Sequence, residues 1–306
     1  RIRTNMFAAR DCASSTSVQT FDVASPSRAR GATIVRRASS EPRRDLRKQR
    51  AGPTTPAPTY TTSLLDKNLR SIFARKMADE LDGPSSSASS ASIDGAYDGV
   101  RDMCLRLVRE SSSAEEVRAR GLRILRACVG PSWVPKAFGA FLRLFPRWFA
   151  ARHAASVTPL ILPWLVGDAE VNDVPEDVVL DATPGDVPSS ALAAVLGLPK
   201  ERAGYKQGVL LKRCRVLEET GCAAVCANVC KVPTQKFFTE EVGLPVTLTP
   251  NYETFECQFS YGATPPALSE DAAFSTPCFR QCPVSETLRE DACERTLSGD
   301  RRIGEN

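Results

Sequence analysis

Three cysteines spaced four residues apart, Cys222, Cys226 and Cys230, place the strongest constraint on how this chain folds. Residues four apart lie along one face of an α-helix, so the spacing predicts a helix over residues 221–242. Pro233 follows the last of these cysteines, and because proline lacks an amide hydrogen it should break or kink that helix. A cysteine-bearing helix is therefore predicted at the centre of the second half of the chain.

The cysteines are also the predicted metal ligands, because the chain of 306 residues has 11 cysteines and one histidine, His153. One histidine excludes iron and zinc sites that need two or more per subunit. Neighbouring cysteines on the helix can reach one metal ion, whereas Cys222 and Cys230 lie about 12 Å apart along a straight helix and cannot share one. Buried free thiols and disulfides are the alternative interpretations. Seven cysteines cluster in one third of the chain: Cys214, Cys222, Cys226, Cys230, Cys257, Cys278 and Cys282.

Strand-like segments flank the cysteine-bearing helix, and helical periodicity precedes it. Residues 208–217, 244–249 and 255–261 have strand composition, and a turn-like joint separates the last two. Earlier in the chain, residues 64–81 and 100–108 repeat apolar residues at helical spacing, and Ser113 with Glu116 forms a capping box that opens a further helix. The predicted fold class is α+β, helical in the first half, with a small antiparallel sheet and the cysteine-bearing helix in the second.

Composition divides the chain into regions. Residues 1–50 hold 12 basic and 4 acidic residues, a net charge of +8 that leaves −4 for the rest. This basic, hydroxyl-rich start is typical of plastid and mitochondrial transit peptides, with processing expected between about residues 35 and 60. A disordered basic arm is the alternative interpretation. Its basic residues do not lie on a folded face, which argues against nucleic-acid binding. The other predicted regions are a linker with one possible helix (51–92), a single domain (93–283) with a surface insertion (168–204), and a C-terminal tail (284–306).

Residues 137–167 form the most apolar stretch, and they are rich in aromatic side chains. Arg143, Arg147 and Arg152 interrupt the stretch and argue against a membrane-spanning helix. One interpretation is a pair of core helices. The other is a membrane-surface or apolar-ligand face, with the arginines at the level of the lipid headgroups.

Several motifs in residues 213–283 resemble one protein family. The motifs are RCRVLEETGCAAVCANVCKVPTQKFFTEEVGLPVTL from Arg213, ECQFSYGATPP from Glu256 and PCFRQCP from Pro277. They resemble the dwarf-type β-carotene isomerase family of plants and algae. The resemblance implies a chloroplast enzyme that depends on iron and reversibly converts all-trans-β-carotene to its 9-cis isomer, a step toward strigolactones in land plants. All seven clustered cysteines match family positions.

The resemblance implies iron on thiolates, either as one ion or as an iron–sulfur cluster. Isomerising a conjugated double bond requires either electron exchange, which iron could provide, or protonation by a buried carboxyl group. The candidate acids are Glu218, Glu219 and Glu256. The aromatic residues expected to bind the carotenoid are Phe237, Phe238, Phe255, Phe259 and Tyr261.

Three classes of function follow from these observations. The first is an iron-dependent carotenoid isomerase. The second is a plastid iron–sulfur or redox protein without enzymatic activity, and the third is a binding module for an apolar ligand or a membrane surface. The expected partners of an isomerase are the carotenoid, the plastid membrane surface and a downstream carotenoid cleavage dioxygenase, either in the stroma or at the membrane.

Overall fold

The structure is a computed structural model that describes residues 52–83, 94–181 and 204–274. The predicted transit peptide, the predicted C-terminal tail, and Cys278 and Cys282 lie outside the described residues. Within the described ranges, no helix is both long and apolar enough to cross a bilayer.

Helices dominate the first half of the chain, as predicted. The helix expected over residues 64–81 begins at a reciprocal cap, in which Ser63 Oγ accepts from the Asp66 amide at 3.1 Å and the Asp66 carboxylate accepts from the Ser63 amide at 2.8 Å. The described helices are α1 (Leu64–Asp82), α2 (Tyr97–Glu110), α3 (Ala114–Val129), α4 (Trp133–Leu142), α5 (Arg147–Ile161) and α6 (Pro163–Val166).

The capping box predicted at the start of α3 forms only in part. Ser113 Oγ accepts from the Glu116 amide at 3.1 Å, as expected. The Glu116 carboxylate, however, accepts from the amide and the hydroxyl of Ser112, each at 2.6 Å, rather than from the Ser113 amide. The cap is therefore shared between two consecutive serines, which is compatible with a helix start at the predicted position.

Helix α1 is part of the folded core and packs against α2 and α3. Its residues Ala74, Met77 and Ala78 are buried in the same apolar cluster as the second half of the chain. Folded structure therefore begins well before residue 93, where the sequence analysis placed the start of the domain. The low apolar content around α1 conceals this, because only a narrow face of the helix is buried.

Within the described residues, four antiparallel strands form the sheet. Leu248 and Val209 both lie opposite Phe259, which places the last strand at the centre with apolar neighbours on each side. The small antiparallel sheet is confirmed. The strands are β1 (Ala169–Asn172), β2 (Gly208–Leu211), β3 (Val246–Pro250) and β4 (Cys257–Tyr261), and they lie in the order β1-β2-β4-β3.

Two predicted boundaries around the sheet are wrong. The surface insertion expected over 168–204 begins with strand β1, which pairs with β2. The strand expected over 208–217 stops at Leu211 and is followed by a short helix, α7 (Arg215–Thr220). Gly221 follows α7 in the left-handed conformation, with φ of 54°, and this glycine ends the helix.

The cysteine helix is defined here as three consecutive segments: a π-helix (Val225–Lys231), helix α8 (Val232–Phe237) and a second π-helix (Phe238–Val242). The amide of Val232 bonds to the carbonyl of Ala227, five residues back, as a π-helix requires. The predicted break at Pro233 is wrong, because the chain stays helical from Val225 to Val242 and this proline lies in the first turn of α8. The alternative, a kink at this proline, stays a prediction.

Two glycines allow neighbouring helices to approach the cysteine helix closely. A Cβ on Gly121 of α3 would lie 2.9 Å from Pro233 Cγ and 3.1 Å from the Val229 carbonyl oxygen. A Cβ on Gly139 of α4 would lie 2.2 Å from the carbonyl oxygen of Val242. The cysteine helix is therefore held on one side by backbone contacts that no larger residue permits.

We expect Gly139→Ala to lower the free energy of unfolding by about 1–3 kcal/mol, because the clash is with backbone rather than with a flexible side chain. Ala140→Ser is the control, since Ala140 is exposed on the same helix and its change should stay within about 0.5 kcal/mol. Urea unfolding followed by circular dichroism measures both. Equal stability of the two variants would show that α4 does not approach the cysteine helix this closely.

Candidate functional site

A narrow cavity lies between the cysteine helix and the sheet, with α6 and α7 at its side. Its lining is apolar apart from one ammonium group, one carboxylate and four thiols, and it has room for about one water-sized particle. The lining residues are Val166, Leu211, Cys214, Val216, Leu217, Cys226, Cys230, Lys231, Leu248, Pro250, Glu256, Cys257 and Phe259.

The four thiols reach the cavity from three different elements. Cys226 and Cys230 come from the first π-helix, Cys257 begins β4, and Cys214 precedes α7. Cys222 is buried but does not line the cavity, although its carbonyl accepts the amide hydrogen of Cys226 at 3.2 Å. Of the two helical pairs that the spacing allowed, only Cys226 with Cys230 faces the cavity.

Phe255 holds two of the thiols in place through its backbone. Its φ of 62° lies in the left-handed region, which is rare for a buried aromatic residue and strains the backbone. In this conformation its carbonyl oxygen accepts the amide hydrogen of Cys214 at 2.7 Å. Because Cys257 follows two residues later, the strained turn brings the start of α7 next to the start of β4.

Burial keeps the four thiols protonated in the metal-free protein. It raises the pKa of Cys214, raises the pKa of Cys226 and Cys257 well above the usual range, and raises the pKa of Cys230 to about 12. Repulsion between neighbouring thiolates adds to the effect of burial on the pKa of Cys226, Cys230 and Cys257. A cation that binds here must therefore displace protons, and its affinity should rise with pH.

A buried ion pair places a positive charge at the cavity wall, which Lys231 lines and Asp271 does not. Lys231 Nζ lies 2.7 Å from Asp271 Oδ2, and the two side chains are 3% and 6% exposed. The ammonium group also donates to the carbonyl oxygen of Leu248 in β3. Burial has the larger effect on Cys226 and Cys257 and raises their pKa. The positive charge of Lys231 acts against burial and lowers the pKa of both thiols.

The donor set fits a thiophilic metal in its chemistry, since four thiols converge on one small cavity. Their present arrangement is not yet a ligand shell. Within the described ranges, no three histidine, cysteine, aspartate or glutamate side chains are placed to hold one metal ion. Because Cys278 and Cys282 lie outside those ranges, the ligand set predicted from sequence stays a prediction.

The candidate acids differ in their access to the cavity. Glu218 pairs with Arg213 through contacts of 2.5 and 3.0 Å, and Glu219 lies 3.4 Å from Arg215; neither lines the cavity. Glu256 does line it, and its carboxylate accepts the Thr254 hydroxyl at 2.9 Å. Of the three, only Glu256 is placed to meet a molecule in the cavity, and the acid role stays a prediction.

The aromatic residues predicted to bind substrate lie mostly behind the cavity. Phe259 lines it, whereas Phe237 is buried beside it in the core. Phe238 packs edge to face on Phe237 and on Tyr261, with ring centroids 5.9 and 5.7 Å apart. The hydroxyl of Tyr261 lies 2.7 Å from that of Thr158 on α5. Their substrate role stays a prediction, and their described contacts are those of a core between sheet and helix.

Two features of the site were missed in the sequence. Lys231 follows Cys230 directly, and a lysine in so apolar a segment could have been noticed as a buried cation. The second is the strap, defined as residues 52–63, which lies beside Cys214. Arg213 donates to Thr55 Oγ1 at 2.6 Å, and the Arg215 guanidinium lies 4.3 Å from the centroid of the Tyr60 ring.

The raised thiol pKa values predict a loss of stability at high pH. Cys104, a core thiol outside the cavity, has its pKa raised from 9.0 to about 12 by burial. Because the unfolded chain loses this proton first, stability falls between about pH 9 and pH 12, by about 1.4 kcal/mol per pH unit for such a thiol. Cys104→Ala should make the slope shallower by that amount in urea unfolding of chelator-treated protein. An unchanged slope would contradict the burial of this thiol.

An α+β domain with a small, thiol-lined cavity between a helix and a sheet defines the class of protein. Residues 164–270, which include every lining residue, match the family described as beta-carotene isomerase D27-like, C-terminal. The match confirms the resemblance predicted from the motifs.

Two curated relatives extend the comparison. The chain is 31% identical over 137 residues to the chloroplastic beta-carotene isomerase D27 of Medicago truncatula. The aligned segment spans 45% of this chain and 45% of the relative. It is 26% identical over 227 residues to the protein of the same name from Arabidopsis thaliana. That alignment spans 73% of this chain and 74% of the relative. No solved structure matches the chain. Both relatives are chloroplastic by name, which confirms the predicted plastid localisation.

Proposed function

We propose that this chain is a chloroplast carotenoid cis/trans isomerase that converts all-trans-β-carotene to 9-cis-β-carotene. The observation that carries the proposal is the apolar cavity with four thiols, which lies wholly within the segment that matches the family. The names of the two relatives support a carotenoid isomerase. The particular isomer and the need for iron rest on the resemblance and on the chemistry of the cavity.

The cavity suits contact with a polyene better than with a polar substrate. Apolar side chains from the sheet, α6 and α7 form most of its wall. It has room for about one water-sized particle, so a carotenoid reaches the thiols only if part of the wall moves. We assign this movement to the side near Cys214, where the strap is held through contacts of Thr55 with Arg213 and of Tyr60 with Arg215.

Iron would be held by Cys226, Cys230, Cys257 and Cys214, the four thiols that line the cavity. When bound, it supplies one-electron exchange with a conjugated chain. The protein residues fix the surroundings of that exchange. Phe255 fixes the backbone of Cys214, and the apolar wall excludes water.

The charges around the cavity favour electron exchange over protonation. A protonated polyene is a carbocation, and the buried ammonium of Lys231 at the cavity wall would raise its energy. Asp271, the ion-pair partner of this ammonium group, reduces the effect but does not itself line the cavity. Glu218 and Glu219 face arginines, so Glu256 is the remaining candidate for protonation.

Two partners complete the proposal. The carotenoid is collected from a plastid membrane surface, because a molecule so apolar resides among acyl chains. Its product passes to a carotenoid cleavage dioxygenase, as the resemblance to a family of the strigolactone pathway implies.

The test is anaerobic purification, iron analysis and incubation with carotene isomers resolved by chromatography. Iron bound at a fixed ratio together with 9-cis-β-carotene formation is the expected result. Iron without turnover would instead favour an electron carrier or cluster protein, and carotene binding without iron would favour an apolar-ligand module.

A further inference from the structure

The corner between α4 and α5 presents an apolar surface that no described element covers. Phe141 is 52% exposed, and Leu144, in the turn between the two helices, is 73% exposed. The rings of Phe141, Phe145 and Phe149 follow one another at centroid distances of 5.1 and 5.0 Å, so the surface is continuous across the turn. We name this surface the aromatic corner, formed by Phe138, Phe141, Leu144, Phe145 and Phe149.

Positive charge surrounds the aromatic corner. From residue 117 to residue 167 the chain has no acidic residue, although residues 51–306 carry a net charge of −4. Lys136, Arg143 and Arg147 are exposed on α4, on α5 or in the turn, and none forms an ion pair with a described residue. The acids nearest to α4 are already partnered, Glu241 by Arg126 and Glu240 by Lys236.

The geometry points to the aromatic corner as a docking site for an anionic lipid bilayer. The turn would enter the interface with Leu144 and the phenylalanine rings among the upper acyl chains, while Arg143 and Arg147 on either side meet anionic headgroups. An apolar patch ringed by unpaired cations fits this partner, because a neutral protein groove would leave the cations without partners. The inference deepens the proposed membrane partner and rests on that proposal.

The aromatic corner is smaller than the apolar stretch over residues 137–167 that the sequence predicts as a membrane-surface face. Much of α5 faces inward, since Ala150, Ala151 and Ala155 are buried, and Trp148 lies under the guanidinium of Arg152 at 4.9 Å. Lipid contact is therefore assigned to the corner alone. The opposite end of α5 also exposes apolar side chains, Leu160 at 80% and Ile161 at 55%, and provides a matched control.

Flotation of metal-free full-length protein with carotenoid-free vesicles tests the inference, so its outcome does not depend on isomerase activity. Vesicles contain phosphatidylcholine alone or with phosphatidylglycerol. We expect binding to the anionic vesicles, reduced about tenfold in Phe141→Ser/Leu144→Ser and in Arg143→Gln/Arg147→Gln. Leu160→Ser/Ile161→Ser should float like the wild type. Circular dichroism and thermal melting establish that each variant is folded.

Three results would overturn the inference. The first is wild-type protein that fails to float with anionic vesicles, and the second is equal flotation of the corner variants and the α5 control. The third is a dimer in solution that the corner variants dissociate, which would assign the corner to a second copy of this chain. Carotene turnover in detergent that persists after any of these results would leave the isomerase proposal standing while removing the docking surface.

Discussion

Cys226→Ser is expected to lose iron and carotene isomerisation together. Cys226 lines the cavity together with Cys214, Cys230 and Cys257, and the Tyr252 hydroxyl bonds to it. Removing one thiolate ligand should lower metal affinity by about 100-fold or more, so little iron survives purification. Iron analysis and chromatography of carotene isomers measure the two losses, and circular dichroism should show an unchanged helical signal.

Cys222→Ser is the matched control, because Cys222 is equally buried and one turn away but does not line the cavity. It should keep its iron and its turnover. Equal loss in both variants would show that thiol burial in and just before the cysteine helix, rather than access to the cavity, determines metal binding. Full iron and full turnover in Cys226→Ser would remove the thiols from the mechanism and leave Glu256 as the catalytic candidate.

Lys231→Met is expected to lower the free energy of unfolding by about 3–5 kcal/mol, because it leaves the Asp271 carboxylate buried without its partner. The Leu248 carbonyl loses a donor in the same variant. Lys231→Met/Asp271→Leu should recover much of the loss, since no unpaired charge then remains. Urea unfolding of metal-free protein measures all of these changes.

Lys236→Met provides the comparison on the same helix. Lys236 is half exposed and lies 3.9 Å from Glu240, so its loss should cost less than about 1 kcal/mol. If Lys231→Met were as stable as Lys236→Met, the ion pair would not be buried as the structure has it. A cation at the cavity wall would then no longer disfavour a carbocation in the cavity.

Local patterns in the sequence predict much of this fold. Helices α1, α2 and α3 follow from apolar residues at helical spacing, and the strands β3 and β4 follow from short apolar segments around a turn. Strand β1 was not predicted, because the polar sequence AEVN becomes a strand only by pairing with β2. The helical run through Pro233 was not predicted either, since it depends on π-helical hydrogen bonds.

The sequence predicts that cysteines form the site, but it does not predict which cysteines line the cavity. Cysteine spacing identified Cys226 and Cys230 as a pair, yet Cys222 has the same spacing and only the tertiary fold excludes it from the cavity. The pair of Lys231 and Asp271 joins residues 40 apart in sequence, which no local pattern connects. Long-range contacts of this kind determine which thiols, charges and rings meet.

The central claim is that this chain interconverts carotene isomers, and the most direct measurement starts the reaction from both sides. Anaerobically purified protein is incubated separately with all-trans-β-carotene and with 9-cis-β-carotene, and the isomers are followed by chromatography. The account predicts that both reactions approach the same isomer ratio, at rates that Cys222→Ser retains and Cys226→Ser lacks. Isomer compositions that stay as supplied, with iron-loaded and folded protein, would contradict it.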